Sequence, residues 1–211
     1  VHPITSAKYA YTSTTVSYDG NRAAVEHYDN ESELKKIEIY DLKSDELIQT
    51  YQSDKDDSSC YYSNDMSRLY FWPYDTEKGI VSLRVFNCDT GSTELKTVNV
   101  KKDDRSSDID YIVTSSNSDD IYLQSDTTLI KADRDGNMSV LFNDDDHAPE
   151  WPYSYPSAEF YALYTKKGSN DLFEEDDGDY YLNEEDANLS IYDLKSDKII
   201  SSIAFPFGDG Y

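Results

Sequence analysis

Of 211 residues, 43 are Asp or Glu, against 19 Lys and Arg and three His, so carboxylates dominate whatever chemistry this chain can do. Hard cations such as Ca²⁺ take roughly 6–8 oxygen ligands, and two acidic clusters hold the donors. In Asn143-Asp144-Asp145-Asp146-His147, Asp144 and Asp146 are candidate metal ligands. Consecutive side chains point in different directions, however, so the competing use is a polar turn between elements. The second cluster runs from Lys166 to Ala187 and holds nine acids between Asp171 and Asp186. Its candidate ligands are Asp176, Asp177 and Asp179, grouped around Gly178. It is not an EF-hand: with Gly178 as the invariant glycine, the first ligand position falls on Phe173. A solvated, mobile loop is the alternative, and Phe173, Tyr180, Tyr181 and Leu182 would let such a loop pack.

Aromatic residues form a second kind of site. Trp72-Pro73-Tyr74 and Trp151-Pro152-Tyr153 are the same tripeptide. Trp and Tyr rings held by Pro make stacking platforms for sugars or peptides, so Trp72, Tyr74, Trp151 and Tyr153 are the candidate ligand-binding residues. Packing inside the protein is their other use. No catalytic residue is assigned. His2, His27 and His147 fall in no zinc spacing, and the chain has no Gly-x-Ser-x-Gly elbow, phosphate loop or dinucleotide fingerprint.

These side chains need elements to position them, and the composition says which. The net charge of −24 excludes a general nucleic-acid binder and a polybasic membrane anchor. No apolar run approaches the roughly 20 residues of a membrane-spanning helix. Leu, Ile, Val and Phe number 43, near the compositional edge of disorder, but 20 Tyr and two Trp restore buriable area and favour strands. Thirty of the acids are Asp and only 13 are Glu. Asp belongs to turns and caps, Glu to helices. A turn-dense, all-β protein follows.

The heptad Ile-Tyr-Asp-Leu-Lys-Ser-Asp occurs twice, at Ile39–Asp45 and Ile191–Asp197, 152 residues apart. A third of that separation is about 51, close to the period of a four-stranded propeller blade. Two further copies lie between: Val85–Gly91 and Leu129–Gly136. Reading Asp41, Asp89, Asp133 and Asp193 as the turn residues gives spacings of 48, 44 and 60. An apolar strand follows each turn, so each unit ends in a hairpin. A second signature precedes the hairpins: Ser17-Tyr18-Asp19-Gly20-Asn21-Arg22 aligns with Ser63-Asn64-Asp65-Met66-Ser67-Arg68. Ser115–Leu123 and Ser154–Leu163 are degenerate versions. The 60-residue spacing reflects an insertion between the second and third strands of the last unit.

On these motifs the chain resembles TolB-type and WD-repeat-like β-propeller blades. The likeness covers one propeller-like domain over 1–211, in four units near 3–52, 53–100, 101–145 and 146–205. Its first two units lack the Pro of the Ser-Pro-Asp-Gly turn and no unit has the Trp-Asp pair, so it selects no single family. What it implies is an all-β, β-propeller-like fold of about four four-stranded antiparallel blades, complete in itself or part of a larger propeller. The function implied is non-catalytic binding or scaffolding for a protein, peptide or glycan partner, with no nucleic acid. The alternatives are the propeller portion of a larger secreted hydrolase and a Ca²⁺-dependent surface adhesin module. An acidic, Met-poor chain without a leader before Val1 is compatible with an exported protein or lipoprotein, or with a piece of a longer chain; a cytoplasmic protein is the alternative. Cys60 and Cys88 either pair in one disulfide or stand as two independent buried thiols.

Overall fold

A computed structural model describes residues 11–29, 34–54, 60–72, 79–101, 109, 111–114, 119–125, 127–149, 160–168, 171–176, 179–183 and 187–204. Among the described residues every regular element is a strand. Four antiparallel sheets of four strands follow one another along the chain. Sheet 1 is β1 (Tyr11–Val16), β2 (Arg22–Asp29), β3 (Leu34–Asp41) and β4 (Glu46–Gln52). Sheet 2 is β5 (Tyr61–Tyr62), β6 (Arg68–Phe71), β7 (Ile80–Asn87) and β8 (Thr93–Asn99). Sheet 3 is β9 (Tyr111–Thr114), β10 (Ile121–Ser125), β11 (Thr128–Ala132) and β12 (Met138–Asn143). Sheet 4 is β13 (His147–Pro149), β14 (Phe160–Lys166), β17 (Ala187–Asp193) and β18 (Lys198–Ala204). Between β14 and β17 the insertion forms a separate hairpin, β15 (Phe173–Asp176) with β16 (Asp179–Leu182).

Local turn chemistry explains the hairpins. In sheet 1, Ser17 Oγ donates to Asp19 and accepts from the Arg22 amide, while Asp19 Oδ1 accepts from the Asn21 amide. Ser63, Asp65, Ser67 and Arg68 repeat the same bonds in sheet 2. Gly20 takes the left-handed conformation of this turn (φ 69°), and Met66 is forced into it at the matching place (φ 54°). A non-glycine residue there is strained; Met66 offsets the strain by burying its side chain almost completely.

The heptads close β3–β4 and β17–β18 identically. Asp41 accepts from the amides of Lys43 and Ser44, Asp193 from those of Lys195 and Ser196, and Asp45 and Asp197 both have positive φ. In sheet 2 the capping residue is Asn87 and not Asp89: Asn87 Oδ1 accepts from the amides of Asp89 and Thr90, and Gly91 takes the positive φ. The true spacings from Asp41 through Asn87 and Asp133 to Asp193 are therefore 46, 46 and 60.

Contacts divide the chain into two compact units, 1–75 with 82–96 and 76–81 with 97–211. In the first, one face of sheet 1 packs on sheet 2. Ala24, Ile37, Ile39 and Tyr51 meet Met66, Leu69, Phe71, Phe86 and Cys88, with Ile48 at the margin. The Tyr51 ring stacks on Phe71 at 4.5 Å and tilts against Phe86 at 4.8 Å. Two polar anchors edge this contact: Arg22 of sheet 1 pairs with Asp89 at 2.7 Å and donates to the Met66 carbonyl, and the Tyr62 hydroxyl donates to Glu26. Arg68 also approaches Asp89, at 4.0 Å.

In the second unit, Tyr122, Leu129 and Phe142 of sheet 3 pack on Tyr161, Leu163 and Tyr192 of sheet 4. A register shift in the last strand pair of sheets 1, 3 and 4 leaves Ile48, Leu141 and Ile200 as the extra residue of a β-bulge. Ile48 and Leu141 turn towards the inter-sheet cores. The acidic insertion, read from its charge as a solvated loop, is anchored: Leu172, Phe173 and Leu182 pack on Ala148, Tyr164, Ala187 and Leu189.

Tyr51 carries much of the first inter-sheet core. Tyr51→Ala should cost about 3–5 kcal/mol, read as a lower urea midpoint with a similar slope. A loss below 1 kcal/mol would contradict the packing described.

Candidate functional site

Trp72 follows β6 directly, and its half-buried ring tilts against that of Tyr61 on β5, with centroids 5.4 Å apart and planes 36° apart. Arg84 of β7, opposite Phe71 on the other face of this sheet, pairs with Asp54 at 2.8 Å. The aromatic pair suits a flat partner such as a sugar ring or an extended peptide. The other aromatic candidates, Tyr74, Trp151 and Tyr153, lie outside the described residues.

The acidic candidates have local roles. Asp144 Oδ1 accepts from the Asp146 amide and lies 2.7 Å from His147 Nδ1, and the His147 ring packs on Phe142. Asp146 and Asp171 flank the Lys166 ammonium at 3.5 and 3.4 Å, and hydrogen bonding to Asp171 raises the pKa of that lysine. Asp176 and Asp179 are the last residue pair of the β15–β16 ladder. Asp177 lies outside the described residues. Asp144 and Asp146 are thus brought together by a turn, on a different strand connection from Asp176 and Asp179.

A polar cluster unmarked by any sequence motif sits on sheet 1, on the face away from sheet 2. The ladder sets His27 opposite Thr12 on one side and Lys36 on the other, and alternation puts Glu38 and Tyr40 beside them. Thr12 Oγ1 lies 3.3 Å from His27 Nδ1, and His27 Nε2 lies 3.1 Å from Glu38 Oε2. A neutral ring meets both contacts with its proton on Nε2. Tyr40 donates to the same carboxylate at 3.1 Å, and Lys36 donates to its other oxygen. Partial burial works against the Glu38 charge, but the bonds from Lys36, His27 and Tyr40 outweigh it and hold the carboxyl below its ordinary value. Burial and the adjoining carboxylate push the Tyr40 hydroxyl up.

Threonine, imidazole and carboxylate in this order have the connectivity of a nucleophile, base and orienting acid. The amides of the central strand β2 are committed to the β1–β2 and β2–β3 ladders and are not donors to a developing oxyanion. Only the Lys36–Ile37–Glu38–Ile39–Tyr40 alternation hinted at this cluster; bringing His27 and Thr12 to it takes the strand register.

Cys60 and Cys88 are both free and pack on the same core between sheets 1 and 2. Burial pushes the Cys60 thiol well above its ordinary value and Cys88 up to about 12, the latter against the pull of Arg22 and Arg68.

No protein-family model matches the chain, and neither does any curated protein. Solved structures do. One is a crystal structure of the eukaryotic initiation factor, 12% identical with a TM-score of 0.55, covering 99% of this chain and 47% of that one. Another is the β-propeller domain of the Trilobed protease from Pyrococcus furiosus, reported with an open velcro topology; it is 17% identical with a TM-score of 0.50, and the match covers 92% of this chain and 57% of that one. The chain is built of β-propeller-like blades. At such identities the likeness gives the fold alone, and the chain spans about half the length of these neighbours.

Two measurements probe the first two blades. The folded pKa of Glu38 lies below its ordinary 4.5, so its contribution is complete above that pH and is lost as pH falls through the lower folded value. Asp19, Asp41 and Asp193, lowered by turn hydrogen bonds, act with the same sign. Glu38→Gln should therefore flatten the acid limb of the stability curve; an unchanged limb would show the cluster is not formed. In thiol labelling at pH 8, the native chain should react slowly and the urea-unfolded chain should titrate two thiols. No thiol in the unfolded chain would mean a disulfide.

Proposed function

We propose that these blades form a non-catalytic binding module for a protein, peptide or glycan partner, working outside the cell or at its surface. The observation that carries this reading is the Tyr61–Trp72 pair, a half-buried aromatic platform at the end of a blade. Aromatic anchors are the usual centre of a binding surface. The net charge of −24 would steer cationic partners towards the module, an effect that salt screens. No helix among the described residues is long and apolar enough to cross a membrane.

Probing glycan and peptide arrays with the immobilised chain tests the reading. Ligands should bind with on-rates that fall as salt rises, and Trp72→Ala should weaken them about tenfold, roughly 1.4 kcal/mol, without lowering the unfolding temperature by more than a few degrees. Undiminished binding by the variant would remove Trp72 from the site. The Thr12–His27–Glu38 connectivity favours one rival, a hydrolytic blade. Turnover of a reporter ester that disappears in Thr12→Ala would replace the binding reading with that one.

A further inference from the structure

We draw no further inference here: the strongest candidate, the exposed aliphatic face of sheet 4 around Ile200 and Ile203, fits any apolar neighbour, and nothing in the structure shows what covers it.

Discussion

A four-stranded sheet cannot by itself cover its own apolar face, and the rest of this structure follows from that constraint. Side chains alternate from face to face along a strand, so Ile37 and Ile39 turn one way and Lys36, Glu38 and Tyr40 the other. Each sheet therefore needs a neighbour. Sheet 1 finds one in sheet 2 and sheet 3 in sheet 4, and each contact is centred on aromatic rings: Tyr51 on Phe71 and Phe86, Tyr122 on Tyr161. The bulge in the outer strand adds one aliphatic side chain to each contact, Ile48 in the first and Leu141 in the second. The outer face of sheet 1 carries the polar cluster around Glu38 together with Val16, Ala23, Val25 and Leu47.

Short turns between sheet strands set the second constraint, and they account for the excess of aspartate. Asp19, Asp65, Asp41, Asp133 and Asp193 each accept backbone amides that the turn would otherwise leave without partners. These bonds favour the ionised carboxylates, so much of the negative charge is part of the architecture and not a ligand site. The hairpin β15–β16 keeps acids that the turns do not explain, held to sheet 4 by Leu172, Phe173 and Leu182.

Local features were legible in the sequence. The Ser-x-Asp turns, the hairpins after Asp41 and Asp193, and the insertion before β17 stand where the motifs put them, because a few neighbouring residues determine each. Asp89 was misread because Asn87 caps a turn as well as Asp does, and matching by residue identity slid the third-strand end by two positions. The real partners of Asp89, Arg22 and Arg68, come from other strands. The His27 cluster was invisible for the same reason: Thr12 and His27 are 15 residues apart and meet only through the register of β1 on β2. In the insertion, Phe173 and Leu182 were legible as packing residues, whereas Leu172, the one almost fully buried, was not. Of the proposed platform, Trp72 was visible but its partner Tyr61, on a two-residue strand, was not.

Which face each side chain takes depends on the repeats sharing one register, since a slip by one residue turns every side chain of a strand to the other side. Cross-strand amide and Hα nuclear Overhauser effects in the labelled chain test this directly. They should pair Ile37 with Tyr51 and Leu189 with Ile203, with a bulge at Ile48 and again at Ile200. Pairing of Ile37 with Thr50, or of Leu189 with Ser202, would turn the side chains of β4 or β18 to the opposite face and contradict the face assignment.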